Sequence, residues 1–196
     1  MFTKLINALL SAFGIVPDKK KKFTTENNPA FLEAIEKPGT ICLIGGDGFL
    51  PNGIQGATDS FWCHTFVITE KGWCAEAEAN GIERNRVDKY LLPECQMVAY
   101  QTDLTPDQLT RLLNWIRAQI GKPYGYLDFL TQLLPDPSAV SPDDKGFICS
   151  ALAACGYAEI GILIVKSKIN PHLASPKDLN DALEPNLKFS MFRFNW

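Results

Sequence analysis

The sequence predicts an α+β fold in which an antiparallel sheet packs against helices. Three observations support this prediction. Strand-like stretches gather in the first half of the chain, a capped amphipathic helix follows them, and an alanine-rich helix comes later after a loop. A chain of 196 residues with 46% apolar and 21% charged residues can bury the core of one domain, which excludes a wholly disordered protein.

The strand predictions depend on apolar runs and on alternation. Residues 40–44 form a short apolar run that ends in two glycines. Residues 64–69 are rich in β-branched and aromatic side chains, and residues 73–80 alternate after a turn at 70–72, which is a hairpin pattern. A further strand is predicted at residues 96–101.

Two helices are predicted to flank the strands. Thr105, Pro106 and Gln108 form a capping box with proline at the first helical position, and Gly121 is placed to end this helix. Its apolar stripe comprises Leu109, Leu112, Leu113, Ile116 and Ile120. The second helix is predicted to start near Phe147.

Two loops are predicted between these elements. Residues 45–59 carry five glycines without phosphate-loop spacing, and we expect them to form a mobile or closely approached edge of a site. Residues 134–142 hold three prolines among small and polar residues. Neither segment has the periodicity of a helix or a strand.

Residues 1–28 are predicted to form an amphipathic helix and a basic linker, separate from a domain at 29–196. Apolar side chains recur on one helix face across residues 2–13, and a lysine run follows at 19–22. Residues 1–16 are compatible with a docked helix, a membrane-surface helix or a secretory signal. The compartment, cytoplasmic or the cell envelope after export, therefore stays open.

Charge and cysteine content narrow the classes of partner. The net charge of −3 argues against a strongly basic nucleic-acid-binding domain, and no apolar run reaches the 18 residues of a membrane span. Six cysteines are too sparse for a disulfide scaffold, and none has structural-zinc spacing. No metal, cofactor or nucleic-acid partner is predicted.

Cys149 is the candidate nucleophile. A catalytic cysteine needs a stabilised thiolate, a base within reach and a group that orients the base. Cys149 opens the alanine-rich helix, whose free N–H groups favour a thiolate and can stabilise an oxyanion. The alternative is a buried structural cysteine.

The base is chosen from two histidines. His64 begins a predicted strand, whereas His172 lies in a loop between prolines, and a strand holds a side chain more rigidly. Glu76 and Glu78 share one face of the next strand, so either could accept the imidazole N–H. The alternative for each glutamate is a solvated side chain.

These residues lie in segments that resemble a known family. "FICSALAACGY", which contains Cys149, resembles the nucleophile helix of NlpC-type cell-wall peptidases, and "GKPYGYLDFL" is similar to their tyrosine-bearing segment. His64 precedes Cys149 by 85 residues. That order resembles the circularly permuted papain-like group, the YiiX/YaeF-like proteins, with the lecithin:retinol acyltransferase group as a more distant relative.

Other segments fit the same order. "PGTICLIGG" resembles the strand that opens permuted members, "HTFVITEKGWCAEAEANGI" their histidine hairpin, and "SPKDL" a C-terminal element. The resemblance implies a permuted papain-like fold with Cys149 as nucleophile, His64 as general base and acid, Glu76 as orienting group and Tyr124 near the oxyanion. Gly125 stands where the family often has aspartate, which bears on substrate choice.

The implied function is that of a cysteine amidase or peptidase-like hydrolase (a thiol protease). It would cleave an amide bond, in a cell-wall peptide or a related amide, through a thioester. The alternatives are a lipid acyl hydrolase or acyltransferase acting on an ester or amide, and a non-catalytic binding module. A metal site of Cys63, His64 and Cys74 is disfavoured because adjacent strand residues point to opposite faces.

Overall fold

The structure, a computed structural model, describes residues 29–45, 60–92, 95–131 and 146–194. The predicted N-terminal helix and basic linker, the glycine-rich loop after Gly45 and the predicted loop at 134–142 lie outside these ranges. Within them, the class is α+β, as predicted. No helix of the described part is long and apolar enough to cross a membrane.

A six-stranded antiparallel sheet forms the centre of the described fold. Its strands are β1 (Ile41–Gly45), β2 (Trp62–Glu70), β3 (Trp73–Glu78), β4 (Gly81–Arg86), β5 (Gln96–Gln101) and β6 (Ser190–Phe194). Their order is β4-β3-β2-β1-β5-β6, and each neighbouring pair is antiparallel. The four predicted strands are confirmed. The outer strands β4 and β6 were not predicted.

In the described ranges, five α-helices and two 3-10 helices accompany the sheet. They are α1 (Pro29–Ala34), α2 (Pro106–Gln119), α3 (Tyr126–Thr131), α4 (Cys149–Glu159), α5 (Pro176–Leu183) and the 3-10 helices Val87–Tyr90 and Pro171–Leu173. The predicted capping box of α2 is confirmed, because Thr105 and Gln108 bond reciprocally. Ile120 was wrongly assigned to the buried stripe: it lies at the helix C-cap and is 40% exposed.

Apolar clusters cover both faces of the sheet. One cluster joins strand residues such as Leu43 and Val67 to helices α2, α4 and α5. The other joins Phe66 and neighbouring strand residues to α1 and to Tyr90 of the first 3-10 helix. All five residues of β1 are buried because this strand lies at the middle of the sheet with both faces covered.

Helix α4 is the central helix of the first cluster. A helix that is apolar on every side has to be buried. All residues of α4 from Cys149 to Tyr157 are buried. Gly156 permits close contact with α2, since a Cβ there would lie 3.1 Å from Leu112 Cδ1. The helix begins at Cys149, two residues later than predicted, because Phe147 forms a β-bridge with Tyr124.

The start of α4 is held by the segment around Tyr124. The Gly125 N–H donates to the Phe147 carbonyl at 3.0 Å. A Cβ at Gly146 would lie only 2.5 Å from the carbonyl oxygen of Pro123, and a Cβ at Gly125 would lie 3.1 Å from Ile148 N. The two backbones therefore approach more closely than side chains at these positions would permit.

Replacing Gly146 with alanine is expected to destabilise the protein by about 1–3 kcal/mol, because the new methyl group meets backbone that cannot rotate away. Thermal denaturation measures the change. Gly156→Ala is the control with a smaller expected loss of stability, because the new methyl group would meet the end of the Leu112 side chain. A Gly146→Ala protein as stable as Gly156→Ala would contradict the close approach.

Candidate active site

A buried ion pair between His64 on β2 and Glu76 on β3 forms the centre of the site. His64 Nε2 lies 2.7 Å from Glu76 Oε2, and the two residues are only 4% and 0% exposed. Glu76 pairs with Phe66 in the strand register, so His64 lies diagonally across from it. The 2.7 Å contact with His64 Nε2 therefore singles out Glu76 from the two glutamates that the sequence left open.

A β-bulge immediately precedes His64. Ile44 pairs with His64 but Gly45 pairs with Trp62, so Cys63 is an extra residue on β2. Its thiol donates to the Ile44 carbonyl at 3.3 Å. Bulges redirect neighbouring side chains. Trp62 accordingly packs in the cluster that contains helices α2, α4 and α5. Phe66, two residues beyond His64, packs in the cluster on the opposite face of the sheet.

Cys149 contacts this histidine from the N-terminus of α4. The Cys149 side chain lies close enough to His64 to raise the pKa of the imidazole. Because Nε2 is bound to Glu76, Nδ1 is the ring nitrogen that remains for the sulfur. Burial lowers the pKa of His64, but the side-chain interaction and charge of Cys149, together with those of Glu76, outweigh burial and raise that pKa to about 10. The sulfur, the imidazole and the carboxylate thus form one continuous chain.

The N-terminus of α4 also presents backbone donors beside the sulfur. The N-cap residue is Ile148, whose side chain makes no capping hydrogen bond in the described structure. The first N–H groups of a helix have no acceptor within the helix. Such groups can stabilise an oxyanion formed next to Cys149.

Glu76 is ionised and bound at both oxygens. Tyr90 donates its hydroxyl proton to Oε2, and Lys89 Nζ lies 2.5 Å from Oε1. Burial raises the pKa of Glu76, but His64, Lys89 and Tyr90 outweigh burial and lower it to about 2. The alternative of a solvated side chain is therefore wrong for Glu76, whereas Glu78 is 35% exposed.

His64, Glu76 and Glu78 place ligand atoms within 4.8 Å of one another, a geometry compatible with a metal ion. The positive charge between the two carboxylates is supplied by Lys89, which lies 2.8 Å from Glu78 Oε1 as well as contacting Glu76. This ammonium group competes with a metal ion for the same carboxylates. The residues therefore fit a protein-internal ion pair better than a metal centre.

Tyr124 lies near the sulfur. Burial, followed by the charges of Cys149 and Tyr126, raises the pKa of its hydroxyl. Its ring packs against the Tyr126 ring with centroids 4.9 Å apart. The structure thus brings all four predicted site residues into one region, while the chemical role of each stays a prediction.

The other histidine has a different environment. The His172 ring stacks on Phe147 with centroids 5.1 Å apart, and its buried Nδ1 has no hydrogen-bond partner among the described residues. It lies in the second 3-10 helix, not in a strand.

Lys89 and Tyr90 were not predicted as site residues. They belong to the 3-10 helix that follows β4, and that turn returns them over β3. Their spacing from Glu76 shows no periodic signal in the sequence. Their contacts with the Glu76 carboxylate are evident only in the folded structure.

Comparison with known proteins adds no assignment: no family model matches the chain, and no curated protein matches it significantly. Inferences about function therefore depend on the site geometry and on the motif resemblance.

His64 is expected to remain protonated through neutral pH and to lose its proton near pH 10. Its folded pKa exceeds its ordinary value of 6.5, so its contribution to stability is fully present below pH 6.5 and is lost as the pH rises through about 10. An NMR titration of 15N-labelled histidine measures this pKa, and a His172→Gln variant assigns the two signals.

In that titration, Cys149→Ala is expected to lower the His64 pKa because it removes a side-chain interaction and a charge that raise it. Cys155→Ala, in the same helix, serves as the control. An unchanged His64 pKa in Cys149→Ala would show that the sulfur and the ring do not interact.

Proposed function

We propose that this protein is a cysteine hydrolase that cleaves an amide bond through a thioester, with Cys149, His64 and Glu76 as the reacting and orienting groups. The main support is one observation: Cys149, at a helix N-terminus, lies beside an imidazole whose Nε2 is bound to a buried, ionised carboxylate, and it raises the pKa of that imidazole. A solitary structural cysteine requires neither the histidine nor the carboxylate.

The reaction follows from the order of these groups. The Cys149 thiolate attacks the amide carbonyl carbon, and the N–H groups of α4 stabilise the oxyanion, with Tyr124 nearby. The C–N bond then breaks as the His64 imidazolium transfers its proton to the departing amine, which leaves a thioester. His64 next takes a proton from water, and the resulting hydroxide attacks the thioester. The products are a carboxylic acid and the restored thiol–imidazole pair.

Glu76 keeps the imidazole oriented throughout. As an ionised acceptor at Nε2, it stabilises the imidazolium and leaves Nδ1 directed at the sulfur. It does not need to exchange a proton. The permuted papain-like fold is the architecture that we propose for this arrangement, on the basis of the motif order described above.

The substrate class is proposed from the resemblance to NlpC-type peptidases: an amide in a cell-wall peptide. The test incubates the protein with peptides released from purified peptidoglycan, in ¹⁸O-labelled water. We expect a new amine, one ¹⁸O atom in the released carboxylate, and an acyl adduct on the peptide containing Cys149. These outcomes distinguish hydrolysis from transfer to another acceptor.

Parallel incubations contain a phospholipid ester and an N-acyl amine. Turnover of these lipids without turnover of the peptides would replace the proposed substrate with a lipid. The hydrolase proposal is wrong if the protein turns over none of these substrates and Cys149 reacts with iodoacetamide no faster than the other buried cysteines. A binding module would then be the better interpretation.

A further inference from the structure

The carboxylate of Glu76 is restrained from three directions. Oε2 accepts from His64 and from the Tyr90 hydroxyl, while Oε1 contacts the Lys89 ammonium. Lys89 and Tyr90 are adjacent in the short helix Val87–Tyr90, so one turn of backbone supplies two of these contacts. A carboxylate bound at both oxygens cannot rotate without breaking at least one contact.

We infer that Lys89 and Tyr90 are positioning residues of the site: they hold the Glu76 carboxylate in the orientation that accepts from His64 Nε2. The catalytic meaning of this inference rests on the proposed function. Neither residue is placed against the sulfur by a described contact. They act on the reaction through Glu76 and His64.

The position of Tyr90 is fixed by packing rather than by its hydroxyl alone. Its ring stacks on Phe66 with centroids 4.9 Å apart and an interplanar angle of 9°. The same ring lies 5.9 Å from the His64 ring. Removing only the hydroxyl oxygen should therefore leave the ring in place and remove one donor from Oε2.

Lys89 balances a cluster of acidic groups. The titratable groups that face Glu76 are His64, Lys89, Tyr90, Cys74, Glu78 and, opposite it in the strand register, Glu83. The two other carboxylates favour a proton on Glu76, whereas His64 and Lys89 favour its ionised form. Lys89 also binds Glu78, so removing Lys89 leaves Glu76 with His64 as its ion-pair partner among the described residues.

The test compares Tyr90→Phe, Lys89→Met and the conservative Lys89→Arg. The first readout is the NMR signal of the His64 Nε2 proton between pH 3 and 7. In the unchanged protein this signal should persist across the range, because the pKa of Glu76 is about 2. In Tyr90→Phe and Lys89→Met, the pH at which the signal of the His64 Nε2 proton is lost should rise by roughly one to three units. Lys89→Arg should stay close to the unchanged protein.

The second readout is turnover of the peptidoglycan peptides. We expect kcat to fall roughly tenfold in Tyr90→Phe and Lys89→Met, while KM stays within about twofold, because neither side chain is expected to bind substrate. Tyr100→Phe and Lys71→Met are matched controls, since they remove a hydroxyl bonded to Asn180 and an ammonium bonded to Glu36. Neither control should shift the NMR transition or kcat.

An unchanged NMR transition in both Tyr90→Phe and Lys89→Met would overturn the inference, even if either variant melted at a lower temperature. If the unchanged protein hydrolyses none of the substrates, the proposed function fails, but the NMR transition still decides whether Lys89 and Tyr90 hold Glu76. The two failures are therefore distinguishable.

Discussion

Cys149→Ala is expected to reduce amide hydrolysis by at least about 10³-fold, because the Cys149 thiol lies beside His64 at the start of α4, whereas the Cys63 and Cys74 thiols donate to backbone carbonyls. The backbone donors of α4 and the imidazole would remain, so a small residual rate is expected. The measurement is kcat/KM on the peptide substrate, together with the loss of the acyl adduct on the peptide containing residue 149.

The fold should survive this substitution. Alanine has a high helix propensity, and removing one sulfur atom leaves only a small cavity, so we expect a stability change of about 1 kcal/mol. Cys155→Ala is the matched control because it removes the same atom from a buried position of the same helix. A Cys149→Ala protein with more than a tenth of the original activity would rule out Cys149 as nucleophile.

Glu76→Gln should produce the second large effect, a loss of roughly 10²–10⁴-fold in kcat. Glutamine has nearly the same shape as glutamate but cannot stabilise the imidazolium with a negative charge. Its amide group can also donate to Nε2, which would favour the neutral tautomer with the proton on Nδ1. In that tautomer the nitrogen facing Cys149 cannot accept a proton.

The same substitution also tests the electrostatics of folding. The pKa of Glu76 is lower than its ordinary value of 4.5, so its stabilising contribution is present above pH 4.5 and is lost as the pH falls through about 2. At neutral pH, Glu76→Gln leaves Lys89 and the imidazolium without this partner. We expect a loss of about 3 kcal/mol in the free energy of unfolding, measured by urea denaturation.

Glu78→Gln provides the matched control for both measurements. It makes the same chemical change two residues away on the same strand, at a side chain that bonds Lys89 and Tyr90. We expect less than about a tenfold change in kcat, because the bond from His64 goes to Glu76. Equal losses in the two variants would show that the two carboxylates act as one unit.

Local signals accounted for much of the architecture. The turn at residues 70–72 and the capping box at Thr105 are decided by residues close together in sequence, and both were predicted. Strand β4 was missed because Ile82 is its single apolar side chain. Strand β6 was missed because it is an outer strand whose side chains are mostly not buried. An outer strand is stabilised by pairing with its neighbour, and such pairing does not require an alternating apolar pattern in the strand's own sequence.

The sequence likewise identified part of the candidate site. Cys149 and His64 could be nominated because their chemical types and their places in predicted elements are local properties, although β2 begins at Trp62, two residues before His64. Glu76 and Glu78 could not be separated, since residues two apart on a strand share a face. The contact between His64 and Glu76 separated them, and the burial of the Glu76 carboxylate excludes the alternative of a solvated side chain for that residue.

Residue type and short-range pattern alone were sufficient to assign the α+β class, the helix that begins near Cys149 and the small set of candidate acids and bases. Only the side-chain contacts of the folded protein decided that Glu76 meets the imidazole and that Lys89 and Tyr90, in the turn after β4, restrain it. The reason is that hydrogen bonds and charge interactions act over a few ångströms in space. Distances of that size between remote residues exist only after the chain has folded.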